Sequence, residues 1–517
     1  MFSFARVGAS LLISLITAAS GAAQAVPASG GTPCEKLTAL ALPHTTITIA
    51  EAIGAGGFHR PSGEPASGPS PQPQVYAALP AFCRVAASLK PSSDSDITIE
   101  IWLPAAGWNG KFQGVGNGGW SGGINYVELA EGLGAGYATA ATDTGHRGSG
   151  ADASFALGHP EKLTDFAYRA VHEMTVEGKA IAAAYYGTSP RIAFWNGCST
   201  GGKQGLTEAQ RFPADYDGII AIASANNWTP MLAAMMSIAQ TTSQGALPRE
   251  KFAMLHKAVL DACDGLDGVK DGVLENPAAC HFDPSALQCA ADDQPACLTV
   301  HEVAVARRMY ADTVNPRTGG RIFPGFARGS ELGWTPIAGS AEPFPIPLNY
   351  FKFVVFKDPA WDFRGFDIDK DLERAERADA GLTADDPSLK PYFDRGGKLL
   401  LVHGWADQLI SPQNTIDYYS RVSAAVGPAA SAQSMRLFMV PGMGHCGGGA
   451  GPNAFNALDA LTDWVERTQA PERIVASHST AGKIDRTRPL CPYPQVATYK
   501  GPGSTDDAAN FVCGAPK

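Results

Sequence analysis

The chain has 517 residues, a formal net charge of −10 and 45% hydrophobic residues. This length exceeds what one compact core usually accommodates, so we expect a large domain with an insertion or a second domain. The acidic balance and the absence of any basic run argue against nucleic acid or an anionic membrane as a partner.

The first 25 residues are typical of a secretory signal peptide. Arg6 precedes an apolar run over residues 11–16, and Ala23 and Ala25 supply the small residues that a cleavage site needs. The apolar run is too short to span a bilayer, and no later segment offers about 18 uninterrupted apolar residues. We therefore expect an exported protein, periplasmic or secreted, that does not enter a membrane.

Strand-like and helical runs alternate along most of the chain. Strands are predicted at residues 97–103, 111–115, 137–142, 191–195, 398–403 and 435–440, and helices at 165–186, 205–211, 412–425 and 454–467. This alternation is typical of a mainly parallel sheet that is covered on both faces. It stops over residues 224–370. We therefore predict one α/β domain, residues 26–223 and 371–517, with an inserted lid at 224–370 that caps the site.

A candidate nucleophile lies in the G-C-S-T-G stretch of residues 197–201, which has the G-x-S-x-G spacing around Ser199. A predicted strand ends just before it, its glycines allow a sharp turn, and a helix can begin after Thr200. A strand, a tight turn and a helix around such a serine form a nucleophile elbow. A surface turn that carries the spacing by chance is the alternative.

A nucleophilic serine needs a base and a group that orients the base. Asp407 follows the predicted strand 398–403, and His445 follows the predicted strand 435–440. Both lie in loops after strands, and their order after Ser199 is the one expected for a nucleophile elbow. The sequence therefore predicts a catalytic triad. Taken singly, a turn-forming aspartate and a solvated histidine are the alternatives.

An oxyanion hole needs two N–H donors. One is expected at Thr200, directly after the nucleophile. The other is expected in the glycine-rich loop 116–123, which follows the predicted strand 111–115. We predict Gly119 as this donor, with Gly118 as the neighbouring choice. A flexible loop with no role is the alternative.

The ten cysteines form an even number in a chain expected to be exported, which favours disulfides. Three sequence-local pairings are natural: Cys263 with Cys280, Cys289 with Cys297, and Cys491 with Cys513. Cys198 precedes the nucleophile and Cys446 follows the histidine, so a folded triad brings them near disulfide distance. Two small buried apolar side chains are the alternative. Zinc is disfavoured because no paired C-x-x-C spacing occurs.

An acidic, glycine-rich stretch in the insertion begins at Cys263 and contains Asp264, Asp267 and Asp271. Carboxylates in a tight loop are typical ligands of calcium, and backbone carbonyls at Val269 and Val273 can complete the shell. We predict a structural calcium site here. A solvated acidic turn is the alternative, and it would leave three like charges crowded together.

These motifs resemble the tannase and feruloyl esterase family over essentially the whole mature chain. The resemblance is carried by G-N-G-G near Gly116, T-D-T-G-H at Thr142, G-C-S-T-G-G at Gly197, C-D-G-L-D-G-V-K-D-G at Cys263, H-G-W-A-D at His403, P-G-M-G-H-C at Pro441 and R-P-L-C-P-Y-P at Arg488. It implies an α/β-hydrolase core with an inserted lid. It also implies the triad, oxyanion donors and calcium ligands predicted above, and five disulfides, among them Cys34 with Cys83.

The family resemblance further implies a serine carboxylic ester hydrolase that acts on small aromatic esters through an acyl-enzyme. The family includes a terephthalate monoester hydrolase whose lid arginine pairs with the free carboxylate of its substrate. The lid stretch 335–351 contains no arginine, and only Arg328 and Lys352 flank it. We therefore expect neutral feruloyl, caffeoyl or galloyl esters as substrates, with the terephthalate monoester as the alternative.

Four lid aromatics are candidates to hold the substrate ring: Trp334, Phe344, Tyr350 and Phe351. Ordinary packing in the lid core is the alternative for each of them. Two other classes of function stay open from the residues alone. A serine peptidase would use the same triad, and a calcium-dependent binding protein would use only the acidic loop.

Overall fold

The computed structural model describes residues 30–65, 67, 73–291 and 295–516. The predicted signal peptide, residues 1–25, lies outside these residues and stays a prediction. No helix in the described ranges is both long enough and apolar enough to cross a bilayer.

The strands of the described chain are β1 (Thr45–Ile53), β2 (Phe82–Leu89), β3 (Ile97–Pro104), β4 (Lys111–Val115), β5 (Ala138–Thr142), β6 (Ile192–Cys198), β7 (Gly218–Ile222), β8 (Thr313–Val314), β9 (Arg321–Phe323), β10 (Lys398–Gly404), β11 (Met435–Val440), β12 (Ile474–Thr480), β13 (Lys483–Leu490), β14 (Val496–Tyr499) and β15 (Phe511–Gly514). Nine of them form one sheet in the order β1-β2-β3-β5-β4-β6-β7-β10-β11. The strand pairs from β1 to β5 are antiparallel. From β5 onwards through β4 to β11 all pairs are parallel.

The helices of the described chain are α1 (Pro73–Ala77), α2 (Tyr126–Gly134), α3 (Pro160–Thr164), α4 (Ala170–Tyr186), α5 (Thr200–Arg211), α6 (Trp228–Thr242), α7 (Arg249–Cys263), α8 (Val300–Tyr310), α9 (Thr335–Ala338), α10 (Pro345–Asn349), α11 (Ile368–Arg377), α12 (Lys390–Asp394), α13 (Pro412–Val426), α14 (Pro428–Ser434) and α15 (Ala457–Arg467). A π-helical turn, Asp165–Arg169, joins α3 to α4, and another, Tyr350–Val355, follows α10.

The parallel half of the sheet is buried on both faces, as parallel sheets usually are. Adjacent residues of a strand point to opposite faces. In β6, Phe194 packs on one face with Leu400 and Trp464, whereas Trp195 packs on the other with Leu401. Every residue of β4 is buried for the same reason. The predicted fold class is confirmed, because helices cover both faces of a largely parallel sheet.

The segment between β7 and β10 is an insertion, and its apolar side chains form a second core together with earlier residues such as Trp120 and Phe166. This core includes Trp228 and Leu232 of α6 together with Trp334 and Leu382. The expected boundary between residues 370 and 371 falls inside α11, which packs against α6. The inserted layer therefore continues past that boundary to about Leu382.

All ten cysteines are paired: Cys34 with Cys83, Cys198 with Cys446, Cys263 with Cys280, Cys289 with Cys297, and Cys491 with Cys513. Each pairing agrees with the prediction. Two of the bridges lie within the insertion, and one joins the last residue of β6 to the loop that follows β11.

Candidate active site

Ser199 lies in a sharp turn between β6 and α5, at the carboxyl edge of the sheet. Its backbone has φ 61° and ψ −120°, a strained conformation for a residue with a side chain. The turn is tight enough that a Cβ added to Gly197 would lie 2.5 Å from the carbonyl of Gly201. Glycine is therefore required there, and the turn has the form of a nucleophile elbow.

His445 and Asp407 form a hydrogen-bonded pair across the loops that follow β11 and β10. His445 Nδ1 lies 2.8 Å from Asp407 Oδ2. Because the carboxylate can only accept when ionised, Nδ1 carries the proton and Nε2 is left free to accept one. Ser199 and His445 line the same cavity. The structure thus brings all three predicted triad residues to one place.

Asp407 is fully buried, and its environment keeps it ionised. Burial raises the pKa of Asp407, but attraction to His445 and hydrogen bonds from His403 and His445 outweigh burial. The net pKa lies below the ordinary range of an aspartate. The ionised carboxylate therefore accepts from Nδ1 of His445 and orients that ring.

Gly119 and Thr200 lie next to one another beside Ser199. The Thr200 hydroxyl donates to the Gly119 carbonyl at 2.9 Å. Gly119 has φ +53°, and an added Cβ would lie 2.3 Å from the Gly150 carbonyl. Within the described residues neither backbone N–H has an acceptor. Both predicted oxyanion donors are therefore available to a ligand.

Hydrogen bonds to three other segments hold the loop that carries Gly119 in place. Asn117 Nδ2 donates to the carbonyl of Thr142 at 2.9 Å. The Asn117 N–H donates to Gln204 of α5 at 3.0 Å. His146 Nε2 lies 2.9 Å from the Trp120 carbonyl oxygen. These contacts fix the donor loop relative to the nucleophile helix, which is what a preorganised oxyanion hole requires.

The cavity at Ser199 is narrow, and its walls are mainly apolar. The insertion contributes Ala225, Trp228, Met231, Leu232, Met235, Phe344 and Ile346, and the loop after β10 contributes Leu409 and Ile410. Apart from His445, no titratable side chain of the described chain lines this cavity. It is suited to a flat, uncharged acyl group.

Of the four aromatic residues predicted to hold the substrate ring, only Phe344 lines the cavity. The prediction is wrong for Trp334, Tyr350 and Phe351, which are fully buried in the lid core. Trp334 Nε1 donates to Ser330 at 2.9 Å. The Tyr350 hydroxyl lies 2.8 Å from that of Thr229, and Phe351 packs against Trp361. These rings hold the lid together.

The disulfide between Cys198 and Cys446 directly adjoins the site. Its Cα atoms are 5.8 Å apart, and its partners are 248 residues apart in sequence. One cysteine precedes Ser199 and the other follows His445. The bridge therefore ties the nucleophile turn to the loop of the base.

The acidic loop is folded around its own carboxylates. Asp264 accepts from the N–H groups of Asp271 and Gly272, at 3.4 and 3.1 Å. Burial raises the pKa of Asp267, and the charges of Asp271 and Asp264 add to this effect. Arg488 pairs with Asp271. The three carboxylates supply only oxygen donors, the ligand type that calcium prefers. In the described chain their oxygens do not all lie within 4.8 Å of one another, so the calcium site stays a prediction.

Two polar residues near the triad were not predicted. Gln408 accepts from the backbone N–H of His445 at 3.2 Å. His403 Nε2 lies 3.1 Å from Asp407 Oδ2. The H-G-W-A-D motif places His403 four residues before Asp407, and this spacing was the available signal. The apolar cavity residues of α6 gave no signal distinct from that of a core helix.

Comparisons with known proteins identify the family. The tannase and feruloyl esterase family model matches residues 83–514. An uncharacterized esterase of Xanthomonas campestris is 38% identical, with 97% of this chain and 95% of that protein covered. A probable feruloyl esterase B-2 of Aspergillus terreus is 31% identical, with 91% of this chain and 93% of that protein covered.

Solved structures show the same architecture. Feruloyl esterase B from Aspergillus oryzae superposes with a TM-score of 0.86 at 30% identity, over 93% of this chain and 99% of that one. Tannin acyl hydrolase from Aspergillus niger has a TM-score of 0.76 at 24% identity, over 92% of this chain and 94% of that one, and so supports the fold alone. With a family model over most of its length and relatives above 30% identity, this chain belongs to the tannase and feruloyl esterase family, and it is a carboxylic ester hydrolase.

Proposed function

We propose that this protein is a serine esterase that cleaves esters of aromatic acids through an acyl-enzyme. The observation that carries the proposal is the 2.8 Å bond between His445 and Asp407 at the cavity that also holds Ser199. A buried carboxylate, an imidazole with a free Nε2 and a serine on a nucleophile elbow are the parts of a hydrolase triad.

In the proposed reaction, His445 Nε2 takes the proton of the Ser199 hydroxyl as Oγ attacks the ester carbonyl carbon. The N–H groups of Gly119 and Thr200 stabilise the negative charge that develops on the carbonyl oxygen. His445 then protonates the leaving alcohol, and Ser199 carries the acyl group. Water activated by His445 attacks the acyl carbonyl, and the acid is released.

The proposed acyl group is neutral and aromatic, of the feruloyl, caffeoyl or galloyl type. The cavity has an apolar wall, and neither Arg328 nor Lys352 lines it. Arg328 instead donates to the Phe282 carbonyl at 3.2 Å and lies 4.5 Å over the ring of Tyr310. A free terephthalate carboxylate would thus enter the cavity without a cationic partner, which disfavours such substrates.

Calcium binding and export belong to the same proposal. Asp264, Asp267 and Asp271, with the carbonyls of Val269 and Val273, would hold a structural calcium ion in the insertion. Five disulfides support folding in an oxidising compartment, either the periplasm or the extracellular space.

The test compares Ser199→Ala with Ser479→Ala, an exposed serine on β12 that serves as the control. Each protein is assayed on methyl ferulate, methyl gallate, a terephthalate monoester, a short-chain ester and ferulamide. We expect Ser199→Ala to fold and lose about 10⁴-fold or more in kcat. Retention of esterase activity by Ser199→Ala would refute the serine mechanism. Preference for the amide would favour a peptidase, and preference for the terephthalate monoester would overturn the proposed acyl group.

A further inference from the structure

The carboxylate of Asp407 is held by four donors. Oδ1 accepts from the N–H groups of Leu409 and Ile410, at 2.8 and 2.9 Å. Oδ2 lies 2.8 Å from His445 Nδ1 and 3.1 Å from His403 Nε2. Backbone donors thus fix one oxygen. The other oxygen, which faces the base, is placed by two imidazoles.

His403 is a more rigid partner than His445. Its side chain is fully buried at the end of β10, whereas the side chain of His445 is 12% exposed. His403 Nδ1 lies 2.7 Å from the hydroxyl of Thr415 on α13. His403 is therefore fixed between the sheet and a neighbouring helix.

The contacts of His403 require a proton on Nε2. This nitrogen faces two acceptors, the Asp407 carboxylate and the Ile410 carbonyl, each at 3.1 Å. Nε2 must therefore be the donor to Asp407. The Thr415 hydroxyl is the partner of Nδ1, so each ring nitrogen of His403 has a hydrogen-bond partner.

We propose that His403 is a positioning residue that holds Asp407 Oδ2 in place while His445 changes charge. This inference rests on the proposed serine mechanism, in which His445 gains and loses a proton twice in each turnover. The strength of the His445 bond to Oδ2 changes with that proton. The Nε2–H donor of His403 takes no part in these proton transfers, so the carboxylate keeps one geometry through the cycle.

The four donors fill the acceptor directions of the buried carboxylate. Without the Nε2–H group of His403, one direction of Oδ2 would be left empty, which is costly for a buried carboxylate.

The test compares two substitutions of His403, one that removes the N–H donor and one that keeps such a donor. His403→Met removes the donor and keeps a similar volume. His403→Gln keeps an amide N–H near the position of Nε2. For each variant, kcat per phosphonate-titrated site, KM, the thermal midpoint and the pH profile of kcat/KM on methyl ferulate are measured.

For His403→Met we expect kcat to fall about 10- to 100-fold, the scale seen when partners behind reacting groups are lost. KM should stay within about twofold, because no substrate contact changes. The acid limb of the kcat/KM profile should move to lower pH, since a displaced Asp407 stabilises protonated His445 less. His403→Gln should keep most of the wild-type kcat and should leave the acid limb close to its wild-type position.

Two outcomes would overturn the inference. One is an unchanged kcat and acid limb in His403→Met. The other is an equal loss of kcat in His403→Met and His403→Gln, because the N–H donor would then not be the property that matters.

If His403→Met does not fold, Thr415→Val and Thr415→Ser replace the pair of His403 variants. Thr415→Val should shift the acid limb in the same direction while Thr415→Ser should not, and an unchanged Thr415→Val refutes the proposal. Failure of the wild-type protein to react with the phosphonate refutes the serine mechanism itself and this inference with it.

Discussion

Cys198 is covalently joined to Cys446, so one bond links the residue before Ser199 to the residue after His445. Cys198 ends β6 and Cys446 lies in the loop that follows β11, at the same edge of the sheet. Hydrogen bonds alone would leave the separation of these loops free to vary. The bridge sets that separation and thereby limits the distance between Ser199 and His445.

Removing this bridge should damage activity more than removing the bridge between Cys491 and Cys513. We expect the double alanine variant of Cys198 and Cys446 to lose about 100-fold in kcat, the cost of a misplacement of about 1 Å. Removing a bridge also frees the unfolded chain, so this variant should lose about 5 kcal/mol of stability. The variant without the bridge between Cys491 and Cys513, which closes a shorter loop, should lose about 3 kcal/mol. Turnover and urea unfolding of the two variants check this. Equal losses of kcat would show that the first bridge has no special link to catalysis.

Phe344 should determine how well aromatic esters bind. Phe344→Ala removes the one predicted ring that lines the cavity, and burial of a phenyl group against substrate contributes about 1.5 to 3 kcal/mol. KM for methyl ferulate should rise about tenfold or more, with little change for a short-chain ester. Phe351→Leu is the control: this ring lies in the lid core, so its loss should lower the thermal midpoint and leave KM unchanged. The same KM change for both esters would contradict a ring-binding role.

His146 should make the protein less stable in acid. Burial is the main cause that lowers the pKa of His146 from its ordinary value of 6.5 to about 4. The unfolded chain therefore binds more protons between these values, and stability falls as pH drops from about 6.5 towards 4. At one pKa unit per ~1.4 kcal/mol, the loss by pH 4.5 is roughly 2 to 3 kcal/mol.

His146→Gln can keep a donor to the Trp120 carbonyl but cannot titrate. We expect its unfolding free energy to fall less than that of the wild-type protein between about pH 7 and pH 4.5. His159→Gln serves as the control, because the side chain of His159 is 50% exposed. If the unfolding free energies of the His146→Gln and wild-type proteins fall equally with pH, the buried imidazole makes no contribution.

A calcium chelator should lower the thermal midpoint by about 5 °C or more, because an ion that binds only the folded state stabilises it. Asp267→Asn should remove most of this response. Asp261→Asn is the control, since Asp261 lies exposed on the preceding helix and pairs with Lys257. Metal analysis of the purified protein and thermal scans with and without the chelator check this. A wild-type protein without bound calcium and without a shift would leave the loop as a plain acidic turn.

Six strands of the nine-stranded sheet, β3 to β6, β10 and β11, were predicted because they are short strand-like runs, whereas β7, which lies between β6 and β10, was not predicted. Strand β1 was not predicted, and most of its residues are partly or fully exposed, as expected for an edge strand. Helix α5 begins at Thr200, five residues before the predicted start. Glycines near its start are poor helix formers, but close packing of Gly201 against Gly116 overrides that preference.

The positions of the triad were predictable because each residue lies in a short motif that follows a strand. The orientation of the aromatic rings in the lid was not predictable from the sequence. The π-helical turn Tyr350–Val355 departs from the helical period of 3.6, and both Tyr350 and Phe351 face the core. Sequence spacing alone does not reveal such a turn. The contact between His403 and Asp407 was not predicted either, although their spacing of four residues offered a signal.

The cavity is built from two parts of the chain that have different roles. The groups that would react come from the loops of the sheet, whereas most of the wall comes from the insertion between β7 and β10. The lid can therefore change in sequence or length without moving Ser199, Asp407 or His445. Exchanging lids between relatives should transfer the choice of acid and leave the hydrolytic machinery intact, so the insertion is the natural unit for redesigning this enzyme.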